Sequence, residues 1–206
     1  VVTNGRRHPQ RPPKAYPGEL IYARVIDING SQCTLELKVA SIKNDLKHFS
    51  EWHNSDRVNA FWGERGTAEQ HKAYLKKQLV DPHVIPVIGH IDGTPFGYFE
   101  IYWAKEDNIA PFADSHDYDR GFHALVGDTP YRGPHVVSHW IASLTHYCFL
   151  ADPRTMRVML EPRADNDKFI NYLNVSGYCR EKDFNFPHKR AALMTISREH
   201  FFESHP

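Results

Sequence analysis

A short apolar strand that leads through a turn into a long amphipathic helix constrains the fold of this chain most strongly. The strand covers residues 122–126, the turn runs from Gly127 to Gly133, and Pro134 opens the helix, a position that favours proline. Within the helix, one face of a 3.6-residue period is apolar and contains Val137, Trp140, Ile141, Leu144, Tyr147 and Cys148. Such a face must be buried, so we expect the helix to pack on a β-sheet in an α/β fold.

Turn signals and apolar periodicity predict the remaining elements. Asn29-Gly30 and Asp92-Gly93 are dipeptides typical of tight hairpin turns, and β-rich runs flank each of them. We therefore expect strands at residues 21–28, 33–40, 84–91 and 95–103. Helices are predicted at residues 45–52, 67–80 and 166–175, and further strands at residues 157–161, 179–186 and 191–198.

The charge balance limits the classes of partner. Lysine plus arginine equals aspartate plus glutamate at 25 residues each, so the chain lacks the basic excess that a nucleic-acid or anionic-membrane surface requires. The sequence has no apolar run of about 18 residues, the length that suggests a membrane-spanning helix. Its three cysteines, Cys33, Cys148 and Cys179, show no CxxC spacing and fit reduced thiols better than a disulfide framework. We expect a cytoplasmic protein without nucleic-acid or membrane partners.

Residues 1–18 differ in composition from the rest of the chain. They are rich in arginine, lysine and proline, lack apolar periodicity and do not begin with methionine. Because such a segment cannot bury a core, we expect a basic, proline-rich arm or linker at residues 1–18 and one domain at residues 19–206. The chain is then interpreted as an excised part of a longer polypeptide.

The turn before the long helix has the features of an anion site. The first backbone N–H groups of a helix have no intrahelical partner, and the helix dipole favours negative charge there. Arg132 adds a fixed cation, and Gly133 permits close approach to the backbone. The turn is therefore a candidate pyrophosphate site, although many such turns contain glycine and arginine only to reverse and solvate the chain.

Six sequence blocks in a fixed order resemble a known enzyme family. They are HFSEWHNSDRVNAFW, PFGYFEIYWAKED, DRGFHALVGD, YRGPHVVSHWIASLTHYCFL, RVMLEPRADN and DFNFPHKRAALM. The order of elements is similar to that of the GCN5-related N-acetyltransferases, and the blocks resemble the hydroxamate-siderophore branch, especially the aerobactin-type N-hydroxylysine acetyltransferases. The resemblance implies the GCN5-related N-acetyltransferase fold, an α/β fold with a mixed, mostly antiparallel central sheet flanked by helices.

The resemblance also implies which residues carry the reaction. His123 and Asp165 match the catalytic His/Asp pair of the family, and acetyl-CoA or another acyl-CoA is the implied co-substrate. Contacts with acyl-CoA are implied for Val126, Arg132, Gly133, His135, Val136, Asn166 and Phe169. The acceptor is expected against Trp62, Tyr102 and Trp103. The competing interpretations are a strand histidine with a core hydrogen bond, a helix-capping aspartate and core aromatics.

The cofactor turn departs from the pattern of the superfamily. That pattern is Arg-x-x-Gly-x-Gly/Ala, whereas this chain has Arg132-Gly-Pro-His-Val-Val137. Proline cannot donate a hydrogen bond, so we expect pyrophosphate binding to depend on Arg132 and on the amides of Gly133, His135 and Val136.

The implied function is acyl-CoA-dependent N-acylation of an N-hydroxylated amine, with N6-hydroxylysine and an acetyl group favoured. One alternative is hydroxyornithine or a hydroxylated diamine with succinyl-CoA or a longer acyl-CoA. Another is a non-catalytic acyl-CoA-binding partner of a siderophore synthetase. Such a synthetase is also considered as a partner of the enzyme.

Two features that suggest other chemistry receive less weight. His135, His139 and His146 form one exposed stripe of the long helix, opposite its apolar face. An i, i+4 histidine pair can chelate zinc, but no HExxH motif accompanies them. We therefore expect no metal. Cys148 lies on the apolar face of the same helix, which predicts an inert buried thiol rather than an acylated one.

Overall fold

Strands and helices alternate along the chain much as the sequence predicts. A computed structural model describes residues 1–3 and 5–205. In this part of the chain the strands are β1 Val2–Thr3, β2 Arg6–Arg7, β3 Leu20–Ile28, β4 Ser31–Val39, β5 Val84–Ile91, β6 Thr94–Trp103, β7 Arg120–Val126, β8 Arg157–Leu160, β9 Cys179–Asn185 and β10 Arg190–Ser197. The helices are α1 Ile42–Asn54, α2 Asp56–Trp62, α3 Ala68–Val80, α4 Pro134–Ala151, α5 Asp167–Val175 and α6 Arg198–Ser204.

Eight of the strands form one sheet, and β1 and β2 form a separate pair. The order in the sheet is β3-β4-β5-β6-β7-β8-β10-β9. Strand β4 pairs antiparallel with β3 and β5, and β10 pairs antiparallel with β8 and β9. Strands β7 and β8 are parallel. The expected fold, a mixed and mostly antiparallel sheet flanked by helices, is confirmed.

Both predicted hairpins are present, and the backbone shows why their turns have this sequence. Asn29 and Gly30 have φ values of 53° and 83°, and Asp92 and Gly93 have φ values of 47° and 78°. Two consecutive left-handed residues are the requirement of the tight turn whose twist matches that of the flanking strands. Glycine and, among other residues, asparagine and aspartate tolerate this conformation best.

Side-chain caps set the boundaries of the helices between the hairpins. The Ser55 side chain accepts a hydrogen bond from the Val58 N–H and begins α2. Thr67 and Gln70 form a reciprocal capping box at the start of α3. The helices predicted at residues 45–52 and 67–80 correspond to α1 and α3. Between them, Val58, Phe61 and Trp62 lie in a separate helix, α2.

The chain divides into two compact units. The first unit comprises residues 1–10, 102–122 and 137–206, and the second comprises residues 11–101 and 123–136. The core of the second unit contains Ala40, Phe49, Trp52, Val58, Leu75, Ile88, Tyr98 and Leu125. Helices α1, α2 and α3, strands β5, β6 and β7 and the residue after β4 all contribute to this core.

Helix α4 carries the apolar face of the first unit. Ile141, Leu144 and Cys148 are completely buried, and the Thr145 hydroxyl is 2.7 Å from the hydroxyl of Tyr178. The predicted amphipathic helix and its start at Pro134 are confirmed. Within residues 1–3 and 5–205, no helix, α4 included, is long and apolar enough to span a membrane.

The C-terminal region adds one helix that the sequence pattern did not predict. Helix α6 follows β10 directly, and the Ser197 side chain caps it by accepting from the His200 N–H. The helix has only seven residues, which is too short for a 3.6-residue period to stand out. It buries Phe201, which is 2% exposed.

The N-terminal residues make ordered contacts in both units. In the first unit, Arg6 donates to the backbone carbonyls of Glu106 and Asp107, and His8 Nδ1 lies 3.0 Å from the Glu106 carboxylate. In the second unit, Lys14 donates to three backbone carbonyls between the end of α3 and the start of β5. The basic side chains of the predicted arm thus satisfy carbonyl groups of the folded chain.

Substitution of Gly127 tests the packing at the end of β7. A Cβ atom at this position would overlap the indole ring of Trp52, so Gly127→Ala should lower the free energy of unfolding by about 1–3 kcal/mol. Urea denaturation measures the change, with the exposed neighbour Thr129→Ala as a control that should differ from the wild type by less than about 0.5 kcal/mol. Equal stability of Gly127→Ala and the wild type would refute the close approach.

Candidate active site

A histidine and a buried glutamate form a hydrogen-bonded pair in the second unit. The Glu100 side chain on β6 is 8% exposed, and the His123 side chain on β7 is 35% exposed. His123 Nδ1 lies 3.2 Å from Glu100 Oε2. An ionised carboxylate only accepts hydrogen bonds, so Nδ1 is the donor. In the neutral ring, the lone pair that can take up a proton is then on Nε2.

Two tyrosines complete the surroundings of the Glu100 carboxylate. The Tyr74 hydroxyl on α3 donates to Oε1 at 2.6 Å, and the Tyr98 hydroxyl on β6 donates to the same atom at 2.9 Å. Desolvation acts to raise the pKa of Glu100, but the contact with His123 and the two tyrosine hydroxyls outweigh it and lower the pKa. Burial, followed by the charge of Glu100, raises the pKa of both tyrosines. The glutamate is therefore an anion held by neutral phenols and a histidine.

Sequence reasoning missed Glu100 and its two tyrosines. The available signal was a single carboxylate within a strand that is otherwise apolar from Tyr98 to Trp103 and fully buried there. An isolated buried carboxylate is very costly, so a charge in such a strand must be paired. The identity of the partners, on α3 and β7, has no signature in the local sequence.

Trp62 is the predicted acceptor residue that the structure brings to His123. The two rings stand edge to face with centroids 6.4 Å apart, and Trp62 also lies 5.7 Å from the ring of Tyr98. Trp62 is the last residue of α2 and is half-buried. A large ring beside the histidine that keeps part of its surface exposed is suited to form a wall of an acceptor pocket.

Tyr102 and Trp103, also predicted to contact the acceptor, lie in the core of the first unit. Tyr102 is completely buried, and its hydroxyl donates to the Met159 carbonyl at 3.1 Å. Trp103 is 5% exposed, with the guanidinium of Arg120 4.3 Å from its ring centroid. This burial favours the competing interpretation, that these aromatics fill a core, and their contact with the acceptor stays a prediction.

A second histidine of the second unit is fully buried. The His53 ring contacts Trp62 and Tyr98 at centroid distances of 5.4 and 5.8 Å. Its Nδ1 atom lies 2.8 Å from the Phe49 carbonyl, and because a carbonyl only accepts, Nδ1 carries the proton. Desolvation lowers the pKa of His53 to about 4. At neutral pH the ring is therefore uncharged, with a lone pair on Nε2.

The candidate anion site lies where the turn enters α4. Arg132 and His135 are exposed, and Val136 is buried. The Val136 N–H donates to the Gly133 carbonyl at 3.0 Å, so this amide already has a partner within the turn. A Cβ atom on Gly133 would overlap the His135 ring, which explains the glycine. The Arg132 side chain and the close approach at Gly133 remain the features suited to a phosphate.

A second arginine holds the end of β7 beside this turn. Arg57 on α2 donates from Nη1 to the Val126 carbonyl and from Nη2 to the Gly127 carbonyl, both at 2.9 Å. Burial and the positive charge of Arg132 lower the pKa of Arg57. Two arginines close enough to repel each other favour an anion nearby. The residues of this turn therefore fit the phosphate groups of an acyl-CoA.

The remaining predicted residues lie in the first unit, at the start of α5. Asn166 caps the helix, with Oδ1 accepting from the Phe169 N–H at 3.2 Å, and the Phe169 ring stacks on Trp140 at 6.1 Å. Both carboxylate oxygens of Asp165 accept from Arg163 on the surface. These bonds lower the pKa of Asp165, which makes it a poor base. Glu100 is a carboxylate that binds His123, and the catalytic role of Asp165 stays a prediction.

The thiol and the histidine stripe of α4 can also be placed. Cys148 is completely buried, so the predicted burial of this thiol is confirmed; desolvation raises its pKa to about 11, which favours the predicted inertness. His146 is half-buried and packs against the rings of Phe201 and Phe202. This position differs from the exposed one that the helical stripe suggested.

A family model and curated relatives match most of this chain. The family described as acetyltransferase (GNAT) domain matches residues 41–186. An N(5)-hydroxyornithine:cis-anhydromevalonyl coenzyme A-N(5)-transacylase of Beauveria bassiana is 44% identical over 97% of this chain and 44% of its own length. An N(6)-hydroxylysine O-acetyltransferase of Escherichia coli is 41% identical over 94% of this chain and 60% of its own length. The chain thus spans about half the length of the curated relatives it matches.

A solved structure shows the same fold at lower sequence identity. The aminoglycoside acetyltransferase AAC(6')-Ib, in complex with coenzyme A, superposes with a TM-score of 0.75 and 23% identity. The match covers 84% of this chain and 99% of that protein. At this identity the likeness establishes the fold alone.

The protonation of His53 predicts a loss of stability in acid. Its pKa is about 4 in the folded chain against 6.5 for a free histidine, so between these values the unfolded chain binds a proton that the folded chain does not. The free energy of unfolding should therefore fall by roughly 3 kcal/mol from this group as the pH drops through that range. His53→Phe keeps the ring and should remove this component, as measured by urea denaturation across the same pH range.

The exposed His116→Ala serves as the control for this measurement. It should retain the slope of the wild type, because His116 lies on the surface. If His53→Phe and the wild type differed by a constant amount at every pH, His53 would not be the buried neutral group described above.

Proposed function

Because the chain belongs to the acetyltransferase (GNAT) domain family, we propose that it transfers an acyl group from acyl-CoA to the nitrogen of an N-hydroxylated amine and so forms a hydroxamate. The observation that carries the proposal is the pair of His123 and Glu100, at 3.2 Å. It provides a partly exposed imidazole whose protonated form would be stabilised by a buried anion. This is the arrangement that a general base requires.

The proposed chemistry uses the two nitrogen atoms of His123 in different ways. Nδ1 stays bonded to Glu100, which fixes the tautomer, and Nε2 takes the proton from the acceptor nitrogen as that nitrogen attacks. Bound acyl-CoA would supply the thioester, whose C–S bond breaks as the new N–C bond forms. His123 then returns its proton to the departing sulfur, so the pair ends in the state in which it began.

The cofactor turn would hold the phosphate groups of acyl-CoA. Arg132 is the principal cation in this proposal, with the N–H groups of Gly133 and His135 as donors. The Val136 amide already donates to the Gly133 carbonyl, so it would bind the ligand only by exchanging this bond. The Val126 carbonyl accepts one bond from Arg57 and keeps a second lone pair. Asn166 and Phe169 remain predicted contacts of acyl-CoA.

A hydroxylated nitrogen suits this site better than an ordinary amine. An alkylammonium group has a pKa of about 10.4 and must lose a proton before it can attack at neutral pH. A hydroxylamine is much less basic and arrives neutral, so His123 has a single proton to remove. Trp62, edge-on to His123, would line the pocket for the carbon chain that bears this nitrogen.

The acceptor and the acyl group are proposed from the relatives. The names of the two relatives above include hydroxylysine and hydroxyornithine, and we favour N6-hydroxylysine with acetyl-CoA. Those names differ in the acceptor atom, since one refers to a nitrogen and the other to an oxygen. We favour nitrogen, because a base on the nitrogen proton leads directly to the hydroxamate.

The cellular setting follows from the product. Hydroxamates bind ferric iron, so we infer a role in siderophore biosynthesis, with a synthetase that consumes the product as a partner. We place the reaction in the cytoplasm, where acyl-CoA is available. The proposed steps need no metal.

The function is tested by identifying the product. N6-hydroxylysine and lysine are each offered with acetyl-CoA, thiol release is followed, and the product is analysed by mass spectrometry and by its ferric complex, which an N-acylated product forms and an O-acylated one does not. We expect the hydroxamate from the wild type. His123→Ala should lower turnover by roughly 10²-fold or more.

Asp165→Asn is the matched control, since it removes a carboxylate that is paired on the surface with Arg163. We expect it to retain turnover within about 3-fold. Full activity in His123→Ala would show that His123 is not the base. An exclusively O-acylated product would show that the acceptor atom is oxygen and not nitrogen.

Arg132 tests the cofactor turn. A charge-assisted hydrogen bond to phosphate contributes roughly 1.5–3 kcal/mol, so Arg132→Ala should raise the Kd for CoA about 10-fold to 100-fold at low salt. The loss should shrink as salt rises, because salt screens the attraction. Arg190→Ala, which removes an exposed arginine paired with Asp183, controls for the general change in charge. Equal affinities by calorimetry in all three proteins would place the phosphates elsewhere.

A further inference from the structure

The orphaned nitrogen of His53 is the feature of the second unit that the proposed reaction leaves unused. His53 is 0% exposed. Its Nδ1–H is committed to the Phe49 carbonyl at 2.8 Å, so Nε2 is an acceptor. Within residues 1–3 and 5–205, no side chain or backbone group donates to Nε2. A buried acceptor without a donor costs about 1–3 kcal/mol, which is a reason to look for a donor that arrives with a ligand.

The surroundings of His53 place this nitrogen close to the candidate active site. Its ring contacts Trp62, and Trp62 contacts His123. Its ring also contacts Tyr98, whose hydroxyl donates to Glu100. The same two aromatic side chains therefore join His53 to the catalytic pair. Trp62 is half-buried, as is His123, and the Trp62 ring contacts both histidines, so a shift of this ring is the step that would open a path to Nε2.

We propose that His53 Nε2 accepts a hydrogen bond from the hydroxyl group of the N-hydroxylated acceptor and makes the enzyme select that acceptor over the parent amine. This inference rests on the proposed function. The acceptor has two protons to place, one on the reacting nitrogen and one on the oxygen bonded to it. His123 receives the first, and His53, whose ring also contacts Trp62, provides an acceptor for the second.

The selectivity follows from what the parent amine lacks. It has no oxygen on the reacting nitrogen, so Nε2 stays without a donor when the amine binds. A site built to pair with a substrate hydroxyl rejects the analogue that lacks it, because the buried group of the protein is left unpaired. His53 is thus a specificity-determining residue, whereas His123 is the base for both substrates.

The test is the ratio of kcat/KM for N6-hydroxylysine to kcat/KM for lysine, each with acetyl-CoA. Both values come from the same protein sample, so any fraction of unfolded protein cancels from the ratio. His53→Phe keeps a ring against Phe49 and removes the acceptor, and it should lower the ratio at least about 10-fold through the hydroxylated substrate. His53→Gln places an amide oxygen near the position of Nε2 and should recover part of the preference.

His71→Phe is the matched control, because His71 is equally buried beside Phe49 but has partners for both ring nitrogens, Ser50 and the Glu64 carbonyl. We expect it to retain the ratio of the wild type whatever its stability. A ratio that is unchanged in His53→Phe would overturn the inference while leaving hydroxamate formation in place. If the wild type forms no hydroxamate, the proposed function itself fails.

A measurement on the wild type tests the inference even if the His53 variants do not fold. In the wild type with nitrogen-15-labelled histidine and CoA bound, the Nε2 resonance of His53 should be that of an unprotonated nitrogen. It should shift towards the hydrogen-bonded range when N6-hydroxylysine is added and remain in place when lysine is added. Equal shifts with both ligands, or none with either, would also overturn the inference.

Discussion

The buried carboxylate of Glu100 is the group on which the candidate site depends. A charge at this depth is stable only if its hydrogen-bonding capacity is filled, and here Tyr74, Tyr98 and His123 together do so. These partners come from α3, β6 and β7, so the site requires that these three elements pack together. The carboxylate in turn fixes which nitrogen of His123 is able to take a proton.

Local signals in the sequence predicted most of the fold. The Asn29-Gly30 and Asp92-Gly93 turns require two consecutive left-handed residues, a constraint that few dipeptides meet, and so both hairpins could be located. Helix α4 was predicted from an apolar face that continues over several helical turns. Helix α6 was missed because seven residues are too few to display such a period.

The site was less predictable because its contacts join residues distant in the chain. Tyr74 and Glu100 are 26 positions apart, and Glu100 and His123 are 23 apart, so no spacing rule connects them. The resemblance implied His123 and Asp165 as the catalytic pair; the carboxylate of Asp165 is bound to Arg163 two residues earlier, and the roles of both residues stay predictions. Of the three predicted acceptor residues, Trp62 is the half-buried one, and its ring lies beside His123. Whether an aromatic side chain is buried depends on the folded chain and cannot be read from the local sequence.

A double-mutant cycle on His123 and Glu100 tests most directly whether the two residues act as one unit. Groups that act together have non-additive effects on kcat/KM. We predict that the double variant His123→Ala/Glu100→Gln is about as slow as His123→Ala alone, because Glu100 acts only through the imidazole. CoA affinity, measured in parallel, should be unchanged and so exclude a general loss of structure. If the two losses multiply in the double variant, Glu100 acts independently of His123, and the account of the site is wrong.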